Sequence, residues 1–433
     1  MIGLKRHPQK AILIGIHPGN RSDFGYYMEE LANLAAAAGI EEAGMVTQKL
    51  SRSNPSHYIG KGKIGELLEL IHAREADLVI CNDELTPSQL RNLEAALERT
   101  VMDRTALILA IFAERARTRE AQLQVEVARL HYMLPRLVGL RESLGRQGGG
   151  SGLKNRGAGE TKLELDRRRI EERIVMLQKE LEQLVSHRQT QRKKRRRNDV
   201  PVVCLVGYTN AGKSSLMNAM MKTHNPGAGK EVMAENRLFA TLETSVRSIT
   251  LHDRKSFLLT DTVGFVSQLP HHLVKAFRST LEEVAEADLL VHVVDSSSPM
   301  YERQIAVTEE TLKELGADHI PKLFVYNKAD LASLPFPSVD NGKIALSAKL
   351  GSGISELTRE IRERIFERDV RCEVLVPYDQ SRVTAYFNEF ANVRSVSFEA
   401  DGTRLTLECP ESVLERYRGS YIPLLESGHF PGR

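Results

Sequence analysis

The segment Gly207-Tyr208-Thr209-Asn210-Ala211-Gly212-Lys213-Ser214 leaves this chain few folds to choose from. It follows the apolar run Val202-Val203-Cys204-Leu205-Val206 and opens a helix-like stretch from Ser214 to Met220. A glycine-bearing turn that ends in Lys-Ser between a buried strand and a helix is a phosphate-binding loop of an α/β sheet. Glycines let backbone amides curl around phosphate oxygens, and the helix N-terminus adds a favourable dipole. Gly207, Asn210, Ala211, Gly212 and Ser215 are therefore expected around the phosphates. Lys213 is placed to reach the terminal phosphates, and Ser214 to offer its hydroxyl to Mg²⁺. Alone, the loop serves ATPases and GTPases equally.

Three later boxes separate the two. Asp261-Thr262-Val263-Gly264 follows Phe257-Leu258-Leu259, with the spacing of a segment whose aspartate meets Mg²⁺ through water and whose glycine amide senses the γ-phosphate. Asn327-Lys328-Ala329-Asp330 follows Leu323-Phe324-Val325-Tyr326. A carboxylate at Asp330 can accept from both N1–H and the N2 amino group of guanine, a pair that adenine lacks. Ser347-Ala348-Lys349 follows Ile344-Ala345-Leu346 and can close over the base through a backbone amide. Each box sits at the end of a predicted strand, where open α/β sheets bind ligands. Four such boxes in order read as a GTPase, with Lys213 and Gly264 central to the chemistry and GTP and GDP as ligands.

At 433 residues the chain exceeds one ordinary core. Charged residues are 27% and hydrophobic ones 41%, the profile of a soluble globular protein. The net charge of +3 argues little for nucleic acid, so any such case rests on local clusters. Cys81, Cys204, Cys372 and Cys409 lie far apart without a CxxC pair, which speaks against zinc or a disulfide framework and fits a cytoplasmic setting. No apolar stretch reaches membrane-spanning length, so no stable membrane insertion is expected. Lys5-Arg6 followed by Ala11 to Ile16 mimics a signal peptide, but the run is short and stops at His17-Pro18-Gly19, as a first strand would.

Strand-like and helix-like segments alternate from Ala11 to Met102, which predicts a small α/β domain with a largely parallel sheet. Within it, Gly60-Lys61-Gly62-Lys63-Ile64-Gly65 lacks the Gly-Lys-Ser/Thr ending and reads as a turn. The period then becomes helical. Leu123, Val127, Leu130, Leu134 and Leu137 share one face, and Ile170, Ile174, Leu177, Leu181 and Leu184 repeat the spacing, as in a coiled-coil hairpin. Its tip, Gly145 to Gly159, is glycine-rich and basic, carrying Arg146, Lys154 and Arg156. It is either a solvated linker or an arm that reaches into a phosphate-lined site. The run Arg188 to Arg197, with Lys193 and Arg195, is either a solvated helix end with a linker or a source of nonspecific attraction for phosphates. Six strands are expected between Val200 and Asp369. After them come a strand from Cys372, a helix from Ser381 to Phe390, a hairpin around Asp401-Gly402 and a Pro/Gly-rich tail.

The fold class is accordingly α/β, in four parts. Residues 1–104 are an N-terminal α/β domain and 105–197 a coiled-coil hairpin with a Gly-rich basic tip loop. Residues 198–370 are a P-loop GTPase domain and 371–433 a small α+β C-terminal domain.

Outside the nucleotide boxes the chain resembles the HflX family, ribosome-associated GTPases related to the Obg group. The resemblance rests on Asn82-Asp83-Glu84-Leu85-Thr86-Pro87 and its continuation to Glu94, on Asp103-Arg104-Thr105, and on Phe112 to Thr118. Leu130-His131-Tyr132-Met133-Leu134-Pro135-Arg136-Leu137 and Arg156-Gly157-Ala158-Gly159-Glu160-Thr161-Lys162 complete it, with Ala158 where the family usually has proline. It implies binding to the large ribosomal subunit and its rRNA, with the hairpin tip near the peptidyl transferase centre. It also implies splitting or rescue of stalled ribosomes under stress. A monomer is expected.

Phe239-Ala240-Thr241-Leu242-Glu243-Thr244 reads as the switch segment, with Phe239 beside the nucleotide and Thr241 the Mg²⁺-binding threonine, Thr244 second. Phe265 stands where Ras-like GTPases keep a water-orienting glutamine, so slow intrinsic hydrolysis is expected. Asn210 is either a loop-stabilising residue or a ligand for K⁺, the candidate second cation. The other readings are an RNA-remodelling enzyme with an ATP-using N-terminal domain and a GTP-switched protein-binding scaffold.

Overall fold

The computed structural model describes residues 9–19, 23–146, 164–184, 200–225, 238–239, 244–253, 255–268, 283–340, 342–367 and 369–427. They fall into two compact units. One takes residues 1–186 with 235–243 and 267–279; the other takes 187–234, 244–266 and 280–433.

The first unit begins with β1 (Lys10–His17), α1 (Phe24–Ala37), β2 (Glu41–Lys49), α2 (Lys61–Arg74), β3 (Leu78–Cys81), α3 (Pro87–Leu97) and β4 (Thr100–Asp103). The strands are ordered β2-β1-β3-β4 and all pair in parallel. β1 and β3 are near-continuous apolar runs because helices cover both faces of such a sheet. Gly60 sits at the N-cap of α2 in extended geometry, its N–H held by Gln48 Oε1 at 2.8 Å, so the Gly-Lys-Gly segment is a turn into a helix. Thr86 and Gln89 form a reciprocal capping box at α3, with Pro87 at the first helical position.

α4 (Arg104–Arg115) starts directly after β4, and Asp103 caps it by accepting from the Ala106 N–H at 2.8 Å. α5 (Arg119–Arg146) is the first hairpin helix and α6 (164–184) the second. Leu123, Val127 and Leu177 form their buried seam, flanked by Leu130, Leu181 and Leu184. Arg119 closes one end of the pair with two hydrogen bonds to the Glu180 carboxylate, at 2.8 and 3.0 Å. Asp103 fastens α5 to the sheet. Its carboxylate accepts from Tyr132 Oη at 2.9 Å, Arg136 Nη2 at 3.0 Å and the Leu85 N–H at 3.1 Å as well as from the cap.

The second unit holds β5 (Val202–Val206), α7 (Lys213–His224), β6 (Ser245–Thr250), β7 (Ser256–Asp261), β8 (Leu289–Asp295), α8 (Tyr301–Glu314), β9 (Lys322–Asn327), β10 (Ser338–Asp340), β11 (Lys343–Ala345) and α9 (Ile354–Ile365). Its sheet runs β10-β11-β9-β8-β5-β7-β6, seven strands where the sequence pattern suggests six. The outermost pairs are antiparallel and the inner ones parallel. β10 is only three residues long, too short for a period-2 pattern to register.

A second sheet closes the chain with β12 (Asp369–Val376), α10 (Ser381–Phe390), β13 (Asn392–Glu399), β14 (Gly402–Pro410), α11 (Glu411–Glu415) and β15 (Ile422–Ser427). Its order is β13-β14-β12-β15, all antiparallel. The stretch leading into the Pro/Gly-rich tail thus contributes an edge strand, a position that tolerates Pro423. Lys255 ties this sheet to the β6–β7 turn through Asp369 at 2.7 Å and Glu408 at 3.5 Å. Among the described residues no helix is long and apolar enough to cross a membrane.

Candidate functional site

Val203 to Val206 are fully buried, which fixes where β5 releases the chain into the loop. Gly207 leaves the strand at φ +144°, and a Cβ there would lie 2.2 Å from the Val293 carbonyl oxygen on β8. Gly212 enters α7 at φ +93°, where a Cβ would meet Asn327 Nδ2 at 2.3 Å. Both positions demand glycine for conformation and for space. Asn210 turns the loop at φ +61°, a left-handed geometry that asparagine tolerates better than most residues.

Lys213 begins α7 and folds back over the loop, donating to the carbonyls of Gly207 at 3.0 Å and Tyr208 at 2.9 Å. Burial pulls its ammonium down to about 8, against the opposing pull of Asp261. Ser214 donates to Asp261 Oδ2 at 2.6 Å, so a hydroxyl and a carboxylate, both oxygen donors suited to a hard cation, stand side by side. Thr262 anchors the same strand end by donating to the Leu205 carbonyl at 2.7 Å. Beyond it, a Cβ on Gly264 would lie 2.6 Å from Thr209 Cα and 3.0 Å from Lys213 Nζ. Phe265 completes the junction: its N–H reaches the Gly207 carbonyl at 3.2 Å, and its carbonyl accepts from the Thr209 N–H at 2.7 Å. The Phe265 ring turns into the core with Cys204, Val206 and Leu290.

Asn327 braces the remaining boxes. Its Nδ2 donates to the Ala211 carbonyl at 2.9 Å and its Oδ1 accepts from the Ala348 N–H at 3.0 Å. One buried side chain thus joins the phosphate loop to the Ser347-Ala348-Lys349 box. Lys328, at φ +60°, pairs with Asp295 Oδ2 at 2.7 Å. Asp330 lies in the 3₁₀ turn Ala329–Leu331, half-buried. Ser347 is buried and accepts from the Leu350 N–H at 3.3 Å, while Lys349 is exposed. Ser215 lies half-buried in the first turn of α7.

Phe239 is fully buried, at φ +54°. Thr241, Lys154, Arg156, Lys193 and Arg195 lie outside the described residues, as does the side chain of Arg146. The sequence reading did not single out Asp295 or the Thr209–Phe265 junction, and named Thr262 only as a member of its box. Asp295 was within reach, because it ends β8 between two strands whose ends carry boxes.

Family models match in three places: one described as GTP-binding GTPase N-terminal at residues 25–113, one as GTP-binding GTPase Middle Region at 115–195, and one as 50S ribosome-binding GTPase at 202–328. A GTPase HflX from Caldanaerobacter subterraneus subsp. tengcongensis is 46% identical over 97% of this chain and 95% of that protein. GTPase HflX of Escherichia coli K12 is 38% identical over 91% of this chain and 92% of that protein. Among solved structures, a GTP-binding protein from Sulfolobus solfataricus in complex with GDP is 24% identical, with TM-score 0.45, covering 82% of this chain and 98% of that one. With relatives this similar along nearly its whole length, a phosphate loop braced to its companion boxes, and GTP hydrolysis as its activity, the chain belongs to the HflX family of GTPases.

Proposed function

We propose that this GTPase binds the large ribosomal subunit and its rRNA, and splits or rescues stalled ribosomes under stress. The match to a family described as 50S ribosome-binding GTPase across residues 202–328 supports the ribosome-binding part of this reading; splitting or rescue rests on the family resemblance. The four-part division at 104, 197 and 370 assigns the contact with RNA to the hairpin, through Arg146, Lys154 and Arg156, with Lys193 and Arg195 behind them. The protein works as a cytoplasmic monomer. RNA remodelling and a protein-binding scaffold lack an observation of comparable weight.

At the nucleotide, Asp330 accepts from guanine while the Ala348 amide, fixed by Asn327, closes over the base. Lys213 exchanges its two carbonyl partners for phosphate oxygens, and the Gly264 amide meets the γ-phosphate. Mg²⁺ fits the residues present, since the Ser214 hydroxyl and Asp261 carboxylate are already 2.6 Å apart; Thr241 is the proposed third member. When bound, the ion would neutralise phosphate charge.

Co-sedimentation with purified large subunits tests the proposal. Pelleting is expected with a non-hydrolysable GTP analogue and not with GDP. Changing Arg146, Lys154 and Arg156 together to Ala should flatten the log–log salt dependence by about 2 to 3 units. Absence of pelleting in both nucleotide states refutes the ribosomal reading, and an unchanged slope moves the contact away from the tip.

A further inference from the structure

α4 holds two short pieces of chain that belong, by sequence, to the nucleotide-responsive segments. At its first residue, the Arg104 guanidinium is buried with 2% exposure. Nη1 donates to Asn82 Oδ1 at 3.1 Å, and Nη2 donates both to the Glu30 carboxylate and to the Ser267 carbonyl, the latter at 3.1 Å. Its Nε has no acceptor among the described residues, so all of its bonding runs through the two terminal nitrogens. Near the other end of α4, the Phe112 ring meets Phe239 edge-on, with centroids 4.8 Å apart and planes at 86°. Both rings are 1% exposed. Eight residues of helix separate the two grips, about 12 Å on one rigid element.

The grips sit close along the chain to the groups that would meet the γ-phosphate. Ser267 follows Gly264 by three residues, and Phe239 precedes Thr241 by two. We infer that α4 is a clamp on both segments, and that Arg104 and Phe112 are positioning residues for GTP hydrolysis. The inference rests on the reading of Gly264 and Thr241 as γ-phosphate contacts.

Two features would make the clamp costly to open. Arg104 is an ion buried beside its counter-ion, a state that is tolerable only with its hydrogen bonds in place. Withdrawing the Ser267 carbonyl would weaken the bonding of a charged group in a dry interior, which is costly. Phe239 adds a left-handed backbone, a conformation that a bulky residue keeps only when its surroundings enforce it. A nucleotide-driven displacement of Gly264 that carried Phe265 and Val266 with it would load the bond from Arg104 to the Ser267 carbonyl. Coupling of this kind is reciprocal: whatever displaces α4 also changes nucleotide preference.

Two variants of the full-length protein separate this from simple loss of stability. Arg104→Lys keeps a cation opposite Glu30 and loses the fork that spans Glu30, Asn82 and Ser267. Glu30→Gln disturbs the same buried pair and leaves the bond from Arg104 to Ser267. Both should lower the melting temperature. Only Arg104→Lys should reduce kcat for GTP, by about tenfold, the weight of one lost positioning bond, with KM and GDP affinity unchanged. Phe112→Leu should reduce kcat in the same direction, with KM again unchanged. A wild-type kcat in Arg104→Lys overturns the clamp, as does a kcat that falls equally in Arg104→Lys and Glu30→Gln. Gly264→Ala checks the underlying reading separately: wild-type hydrolysis in that variant would remove Gly264 from the site while leaving the result for Arg104→Lys interpretable.

Discussion

Nucleotide binding should take up a proton, and Lys213 is the reason. Its ammonium is buried, with two neutral carbonyls as its hydrogen-bond acceptors, and burial lowers its pKa from 10.5 to about 8. A bound phosphate places negative charge beside the same nitrogen and restores the charged form. At pH 8 about half of the lysines are neutral before binding, so GDP should take up about 0.5 proton per site; at pH 7 the uptake should be about 0.1. The terminal phosphate of GDP is already ionised at pH 8, so the proton belongs to the protein. Titration calorimetry in two buffers of different ionisation enthalpy reads the uptake directly. Above pH 8 the affinity should fall towards tenfold per pH unit. Uptake of zero at pH 8, or release, would refute the argument that burial governs this lysine. The same shift fixes the sign for stability without nucleotide. Between pH 8 and 10.5 the unfolded chain binds the extra proton, so the folded state gains stability as pH rises through that window.

Other outcomes follow from the same geometry. Asp330→Asn exchanges an acceptor for a donor facing guanine's amino group, so GTP should bind at least tenfold more weakly while xanthosine triphosphate binds better, as a competitive titration would show. Asn327→Ala strips partners from the Ala211 carbonyl and the Ala348 N–H at once, costing about 2 kcal/mol or more in chemical denaturation and weakening GTP binding. If Asn210 is a potassium ligand, hydrolysis should be several-fold faster in K⁺ than in Na⁺; equal rates with and without ribosomes would leave it a loop residue.

Features carried by local sequence were readable in advance. The phosphate loop is a run of eight residues between a buried strand and a helix, and its glycines answer to steric demands that no other residue meets. The leucine seam of α5 was visible because helical periodicity repeats within one element. The Arg104–Glu30 pair was not, since its members lie 74 positions apart and each looks like an ordinary surface residue in its own segment. Asp103-Arg104-Thr105 stood out only by resemblance. Its reason is physical and non-local: Asp103 gathers donors from α4, α5 and the β3–α3 connection, and Arg104 gathers acceptors from α1, that same connection and Ser267. β10 and β15 escaped notice because one is very short and the other contains proline, so neither presents the alternation that marks a strand. Asn327 was assigned to the nucleotide boxes from its place in Asn-Lys-Ala-Asp, yet its work as a brace depends on Ala211 and Ala348, which only the folded sheet brings beside it.

The Asp103 carboxylate has a mechanical meaning. α5 leaves the body of its unit at the node where Tyr132 and Arg136 are held, with the Arg136 guanidinium also lying 3.5 Å from the centre of the Tyr132 ring. From Arg136 the helix runs ten more residues to Arg146, a boom of about 15 Å. A tilt of about 10° at the node would swing the end of that boom by about 2.6 Å, roughly the length of a hydrogen bond. The aim of the arm is thus set near its root, where one carboxylate serving four donors is joined by the bond from Arg136 to the Leu85 carbonyl at 2.9 Å. A substitution there would leave the seam between α5 and α6 packed and the arm intact, but pointing elsewhere.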